Sequence, residues 1–550
     1  MTLRTLMLTV MLMMPVASMA QASLVPLTHP VYDWLHHQRV GGRITGFHLD
    51  LAPYSRADIT AYLAQVELSA HPLSAFERMT LRSFQREFDA TKLRDSNVRR
   101  SLSARTGLKE RVVGLLVDQP EPYLYRYTSS DTTFEGYLYV QRGKTEFNAW
   151  DDGQWRWSRT YVKGVRGFLN TDDGIGLHAD IDNVFAMGDQ GLLNEVPAWA
   201  HTYATDVEPQ NRSSYSYEVF ASVHRRLWRA DLGRGSLDIG PSVTDALVMR
   251  RNAPNLNWAK VVIGTNTLNY MVLHGSLRSY TSLSTLVVDG DTTLTRTAPP
   301  RWIAMHRLTL EPIPQLTLGV HEVVVYGNRP ADLMYMNPLM PYVFAEMDAG
   351  DMDSKFLGGD IRLRLYPGNE LFASLFIDDL TDFPSLLRSD GSKVALNAGF
   401  RQNLPGSTQL AGSYSRIDAH MYTHFQRLNT YENARQSLGH RLGPNAEEFA
   451  LQVSGWLPLR TRFIGDVVLA KKGLNPPDAN VGGDLLDGVG VFGALYDGAD
   501  VQETLTLNLL VQTQPLRGFQ LSAAITDTRV LKGDRITPFR FIDLRFGYGF

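Results

Sequence analysis

The dominant pattern in this chain is a two-residue rhythm. At its end Ile542, Leu544, Phe546, Tyr548 and Phe550 occupy one phase, and Asp543, Arg545, Gly547 and Gly549 the other. Alternate side chains of a strand point to opposite faces, so this segment is apolar on one face and polar or small on the other. The alternation recurs at Ile361, Leu363 and Leu365 around Arg362 and Arg364, and at Val394, Leu396, Ala398 and Phe400. It recurs again at Leu505, Leu507, Leu509 and Val511, and at Phe519, Leu521, Ala523 and Ile525. A half-buried strand of a soluble protein has this look. So does the closing strand of an outer-membrane β-barrel, where a terminal aromatic such as Phe550 is the signal read by the barrel-insertion machinery.

Residues 31 to about 100 follow another period. Ser55 and Asp58 stand in capping-box positions before Ile59, Tyr62, Leu63 and Val66. Ser74 and Glu77 repeat the device and predict a second helix with Phe76, Thr80, Phe84 and Phe88 along one stripe. A shorter helix is predicted over Val31 to Gln38. Such stripes need a surface to pack on. Residues 93–110 are polar and read as a connector.

From about residue 111 the strand period takes over. Short proline-bearing turns at Pro314, Pro367, Pro405, Pro458 and Pro515 alternate with long polar stretches near 327–357, 418–445 and 471–499. Short turns at one end and long loops at the other are the asymmetry of bacterial barrels, with periplasmic turns and extracellular loops. The spacing predicts an all-β transmembrane antiparallel barrel of about 16–18 strands, with 18 preferred, and a small N-terminal helical domain at its periplasmic mouth. Arg362 and Arg364 must then face inward, because a lipid-facing arginine at mid-membrane costs about 2–4 kcal/mol. A large sandwich or propeller is the soluble alternative, but no blade period is present.

Composition narrows this further. Arg4, an apolar run from Leu6 to Val16 and small residues at Ser18-Met-Ala20 predict a secretory signal over residues 1–20. The run is shorter than the roughly 20 residues a membrane helix needs, and no later segment supplies one. The remaining options are a soluble exported protein or a barrel. The expected organisation is 1–20 signal, 21–110 helical domain and connector, and 111–550 barrel. With Cys 0 there is no disulfide framework, lipid-anchor cysteine or thiolate chemistry. A formal net charge of −3 does not suggest a nucleic-acid partner. A mean hydropathy of −0.18 does not discriminate, because a barrel is polar on one face.

Enzyme motifs are missing. There is no Gly-x-Ser-x-Gly elbow, His321-Glu322 is not a zincin helix, and Gly143-Lys144-Thr145 lacks the upstream glycine of a phosphate loop. Asp348, Asp351, Asp353 and Asp360 are a hard-cation composition without EF-hand spacing. His36 and His37 point to different faces of a helix, and Asp378-Asp379 closes an apolar strand with no acid/base partner in view. No metal, cofactor or catalytic residue is expected. Trp150, Trp155 and Trp157, interleaved with acids and amides, suit sugar rings, and they suit equally the aromatic belt at a membrane interface.

Several segments, in order, resemble the capsule assembly Wzi family of bacterial outer membranes. They are Val31-Tyr-Asp-Trp-Leu35, Pro53-Tyr-Ser-Arg56 with the helix Ala57 to Leu63, Asn337-Pro-Leu-Met340 with Glu346, Leu371 to Asp379, and Leu438-Gly-His-Arg-Leu-Gly-Pro-Asn445. The resemblance implies an 18-stranded barrel in outer-membrane lipid, with helices in its periplasmic mouth. It also implies a lectin-like, non-catalytic hold on capsular polysaccharide or exopolysaccharide. No sugar-contacting residue carries over from the family. By chemistry alone the expected carbohydrate-binding residues are Trp150, Trp155, Trp157, Tyr335, Asn337 and Tyr342. A porin or solute channel is the alternative, and a loop-carboxylate hydrolase a third.

Overall fold

Strand backbone in hydrocarbon must pair on both edges, and a sheet achieves this by closing on itself. The computed structural model describes residues 21–88, 124–129, 131–149, 153–189, 203–208, 211–280, 282–288, 291–350, 352–378, 393–490 and 493–549. The expected signal, the connector, Trp150, Asp351, Asp379 and Phe550 lie outside these residues. The main sheet has 20 strands. Two short ones, Tyr125–Thr128 and Tyr203–Glu208, only extend a neighbour. The other 18 form a closed antiparallel barrel from Thr132–Ala149 to Phe539–Gly549. These two strands zip the ring shut, with Tyr139 opposite Gly549 and Ala149 opposite Phe539.

Short turns gather at one end, for example 225–227, 265–267, 405–407 and 458–460, and the long connections at the other. Pro515 departs from the expected turn pattern. It sits inside Asp500–Leu516, at a register shift between Thr513 and Leu516, and the turn follows at 517–518. The alternation sorts the wall cleanly. Val165, Leu232, Val320, Leu357, Leu451, Leu469, Leu509 and Leu544 are exposed on the outside. Their strand neighbours in the other phase point inward.

Three helices fill the turn end of the lumen: α1 (Val31–Val40), α2 (Arg56–Leu68) and α3 (Ala75–Phe88). The Ser55/Asp58 capping box is made in full. Ser74 and Glu77 exchange the same pair of bonds, at 2.7 and 3.2 Å. On α3, Thr80, Phe84 and Phe88 are buried as the stripe requires, but Phe76 is exposed and Leu81 takes the buried place. Position 76 lies in the first turn, where Glu77 rather than Phe76 takes the buried side. Bonds from the helical segment reach around the wall: Ser23 N to Asn170 Oδ1 (2.7 Å), Lys260 Nζ to Ala52 O (2.8 Å), Asn403 Nδ2 to His37 O (3.0 Å) and Arg517 Nη2 to Ser83 O (2.9 Å).

From the other end, residues 236–255 dip into the lumen. Leu237, Ile239, Leu247, Val248 and Met249 are fully buried there, with Ile239 and Met249 paired. Residues 418–445 lie over them. Tyr422 donates to Leu247 O (2.8 Å), and Tyr431 to Val248 O (2.6 Å). These two segments, the helices and the inward side chains of the adjoining strands form one apolar core. The loop at 328–353 goes the other way. Its helices, α4 (Leu333–Met336) and α5 (Tyr342–Ala349), lie against the outer wall.

Candidate functional site

The lumen is filled unevenly. Along strands from Leu256–Gly264 to Thr408–Ile417, inward side chains such as Trp258, Met271, Met305, Val323, Phe356, Phe376 and Ala395 have essentially no exposure. Along the opposite arc, strands Thr132–Ala149 to Asn211–His224 and Thr461–Leu474 to Phe539–Gly549, many inward side chains are polar and only half-buried. This arc is the candidate site.

Its centre is an ion and hydrogen-bond cluster. The Tyr139 hydroxyl donates to Asp180 (2.7 Å) and reaches Asp182 at 3.2 Å. Arg166 grips the other Asp180 oxygen through Nε and Nη2, at 2.8 and 2.6 Å, and its guanidinium lies over the Tyr139 ring. Glu218 stands opposite Asp180 in register, on the same face. Across the barrel seam, Thr145 donates to Asp543 (2.9 Å), which also accepts from Arg545 (2.6 Å). Further along, Gln452 donates to Asp466 (2.8 Å). Toward the loop end the inward phase turns aromatic. Phe147 stacks on Phe539 with ring centroids 5.6 Å apart, and Phe541 sits opposite Phe147. Carboxylates and amides that accept and donate, set beneath flat phenyl faces, match the hydroxyls and C–H faces of a sugar.

On the filled side of the lumen the helical segment is held by a buried charge knot. Asp50, between α1 and α2, accepts from Arg307 (3.1 Å), Arg362 (3.0 Å) and the backbone N–H of Gly240 (2.7 Å). Gly240 has φ 107, a left-handed conformation natural to glycine, in the loop that meets Asp50. Burial alone would raise the Asp50 carboxyl, but Arg307 and then Arg362 hold it far below the ordinary carboxylate range. Burial, then Arg39, drives the His48 imidazole down to about 3. Burial, then Arg401, drives His36 down to about 4. The helices, the lumen loop and the wall are thus tied at one point.

The residues singled out from sequence do not converge. Trp155 and Trp157 are 51% and 42% exposed on the outward phase at the loop end of their strand. Tyr335 and Tyr342 are buried under the outer-wall loop. The Tyr335 hydroxyl donates to Asp353 (2.7 Å), and the Tyr342 ring lies 4.3 Å from His306, centroid to centroid. Asn337 is exposed and its side chain accepts from Leu339 N. The acids of that stretch part company. Asp348 faces solvent, Asp353 pairs with Arg329, and Asp360 turns inward to Arg307 at 2.7 Å. Among the described residues no cluster of metal-ligating side chains forms. His36 and His37 face different acids, Glu370 and Glu77. Asp378 pairs with Lys393. The Tyr139, Asp180, Asp182 and Arg166 set was not singled out from sequence. Its signal was the inward phase of strands whose outward phase is apolar.

The family model described as capsule assembly protein Wzi matches residues 82–526. Among solved structures, Escherichia coli Wzi, an outer-membrane protein involved in group 1 capsule assembly and described as a carbohydrate-binding β-barrel, aligns with a TM-score of 0.57 and 12% identity, over 95% of this chain and 99% of that one. Pseudomonas aeruginosa OpdO aligns with a TM-score of 0.42 and 12% identity, over 76% of this chain and 97% of that one. The curated proteins contain no match. With most of its length matched by that family model, the chain belongs to the capsule assembly protein Wzi family.

Proposed function

We propose that this outer-membrane barrel holds capsular or related exopolysaccharide at the cell surface by non-catalytic binding in the half-open arc of its lumen. The observation that carries the reading is a polar, aromatic-rimmed arc standing over a helical floor. Family membership and the carbohydrate binding described for Escherichia coli Wzi support it. In this reading the turn end and its helices face the periplasm, the loop end faces outward, and polysaccharide enters from the loop end. Asp180, Asp182 and Tyr139 would bond sugar hydroxyls, and Phe147, Phe539 and Phe541 would stack on sugar faces. Trp155 and Trp157 would serve the interfacial belt and Tyr335 and Tyr342 the loop packing, leaving Asn337 as a contact at the rim and Trp150 as a sugar contact proposed on its chemistry alone. A repeating polymer engages several barrels at once, so weak single sites still retain it.

Binding of the purified full-length protein to capsular polysaccharide tests this. Asp180→Asn combined with Tyr139→Phe should weaken binding about tenfold, roughly 1.4 kcal/mol, and Phe541→Ala by less. Unchanged binding in both variants would remove the lumen arc from the reading. A solute channel is the second reading, because a ring of this width encloses an aqueous lumen. The helices and the 236–255 loop packed inside it argue for small conductance. Large, steady single-channel currents through the full-length protein would reverse that preference.

A further inference from the structure

The outer wall at the barrel seam carries a groove of about 680 Å³ that crosses the first, second and last strands and their neighbours. Most of its lining comes from the outward phase, and Gly143, Ser522 and Arg545 of the inward phase border it through the wall. One end is basic: Arg142, Lys144 and Arg159. The outward rest is mostly apolar, with Val511, Leu521, Ala523, Leu544 and Phe546 beside Thr513, and Leu521, Leu544 and Phe546 are exposed. Register sets the rows, with Arg159 beside Lys144, Lys144 beside Leu544, and Arg142 beside Phe546, which in turn adjoins Leu521. Arg159 and Lys144 lie in the loop-side part of their strands, whereas Leu521 and Phe546 lie near the turn end of theirs. Barrel strands are tilted, so such a row climbs from strand to strand. The groove therefore runs obliquely, with its cations toward the loop-end rim and its apolar floor toward the middle of the wall.

Cations on the lipid side of a barrel are costly unless an anion meets them. Lys144 has Glu146 beside it. Arg142 lies over the Tyr161 ring (5.3 Å) and Arg159 over the Trp157 ring (5.1 Å), and among the described residues no carboxylate is paired with either guanidinium. A cation-lined head joined to an apolar trough has the polarity of an amphiphile with an anionic headgroup. Guanidinium groups favour phosphate, which they bind through paired N–H donors. We infer that this groove binds a phosphorylated lipid of the outer leaflet, its phosphates on Arg142, Lys144 and Arg159 and its acyl chains along Leu521, Leu544 and Phe546. The inference takes the loop end as the outer face and is independent of sugar binding in the lumen, which lies on the other side of the wall.

The test uses the full-length protein in neutral-lipid nanodiscs, titrated with bisphosphorylated lipid A, its dephosphorylated form, or inorganic phosphate, with bound lipid read by native mass spectrometry. The phosphorylated lipid should bind about tenfold or more tightly than the dephosphorylated form. The triple substitution Arg142→Gln, Lys144→Gln, Arg159→Gln should abolish that preference while leaving β circular dichroism and polysaccharide binding unchanged. Arg529→Gln, which removes an exposed outward cation paired with Asp527, should leave the preference intact. If the triple variant folds poorly, Ala523→Trp offers a second route, because it fills the apolar floor and should expel the lipid without touching a charge. Equal binding of both lipids, an undiminished preference in the triple variant, or retention of inorganic phosphate without lipid would each overturn the inference. Absence of polysaccharide binding by the unsubstituted protein, with its lipid preference present, would count against the lumen reading alone.

Discussion

The loops at 418–445 and 328–353 both leave the same end of the barrel, yet one folds inward and the other over the outside. In the inner one, Tyr422, Tyr431 and Leu438 have no exposure, and Asn433 donates to Pro254 O at 3.1 Å. Glu432 pairs with the inward-facing Arg301. In the outer one, Tyr335 and Tyr342 pack on Tyr326, Ala304 and Val324, all on the outward phase. Tyr342 N donates to Glu322 (2.9 Å), Tyr270 Oη to Pro338 O (2.5 Å), and Trp302 Nε1 to Arg329 O (3.1 Å). Its far side shows Leu333, Leu339, Phe344 and Met347, at 80%, 86%, 57% and 64% exposure. The wall under it is polar, with outward His306, Glu322 and Tyr326. Polar wall groups need partners away from water, and this loop supplies them while turning apolar residues outward. A loop thus settles on whichever face of the sheet offers it complementary groups.

The largest expected effect is on the inner side. Asp50→Ala removes one of the two buried carboxylates that Arg307 and Arg362 share, leaving Asp360, at a cost of up to about 3–5 kcal/mol. Thermal unfolding should show it, with amide exchange rising in residues 236–255 and staying unchanged at 328–353. Acid comes next. His36 and His48 are neutral in the fold, with pKa values of about 4 and about 3, against 6.5 for a free imidazole. As pH falls below 6.5 the unfolded chain takes up protons first, so stability declines from there until the folded values are reached, at up to about 1.4 kcal/mol per pH unit for each histidine. Melting temperatures measured at stepwise lower pH should fall over that window, and His48→Gln should flatten the decline. A melting temperature that rises on acidification would contradict the burial of these rings.

Smaller effects belong to the outer loop. Tyr335→Ala removes a buried ring and its bond to Asp353, costing about 1–3 kcal/mol of local stability. Amide exchange should quicken at 328–353 and leave 418–445 as it was, and a matching change in both loops would mean they are coupled after all. The smallest effect is expected at the exposed crest. Leu339→Asp should move stability in detergent by no more than about 0.5 kcal/mol, with unfolding midpoints as the check.

The two-residue rhythm, the spacing of turns and loops, and the capping pairs at Ser55 and Ser74 determined the barrel and its helices from sequence alone. These are local properties: a strand's alternation and a helix's first turn depend on residues a few positions apart. The inward direction of Arg362 was legible too, because an arginine at mid-membrane has only one inexpensive side. The candidate site was not. Tyr139, Arg166 and Asp180 come from three consecutive strands, and only the register in which those strands pair brings them together. Tyr335 and Tyr342 look like free loop aromatics until tertiary packing lays them on the polar patch of the outer wall. Which loops enter the lumen, and which half of it they leave open, rests on contacts between residues far apart in the chain, such as Asp50 with Arg362 or Tyr431 with Val248, and sequence spacing carries no record of those distances.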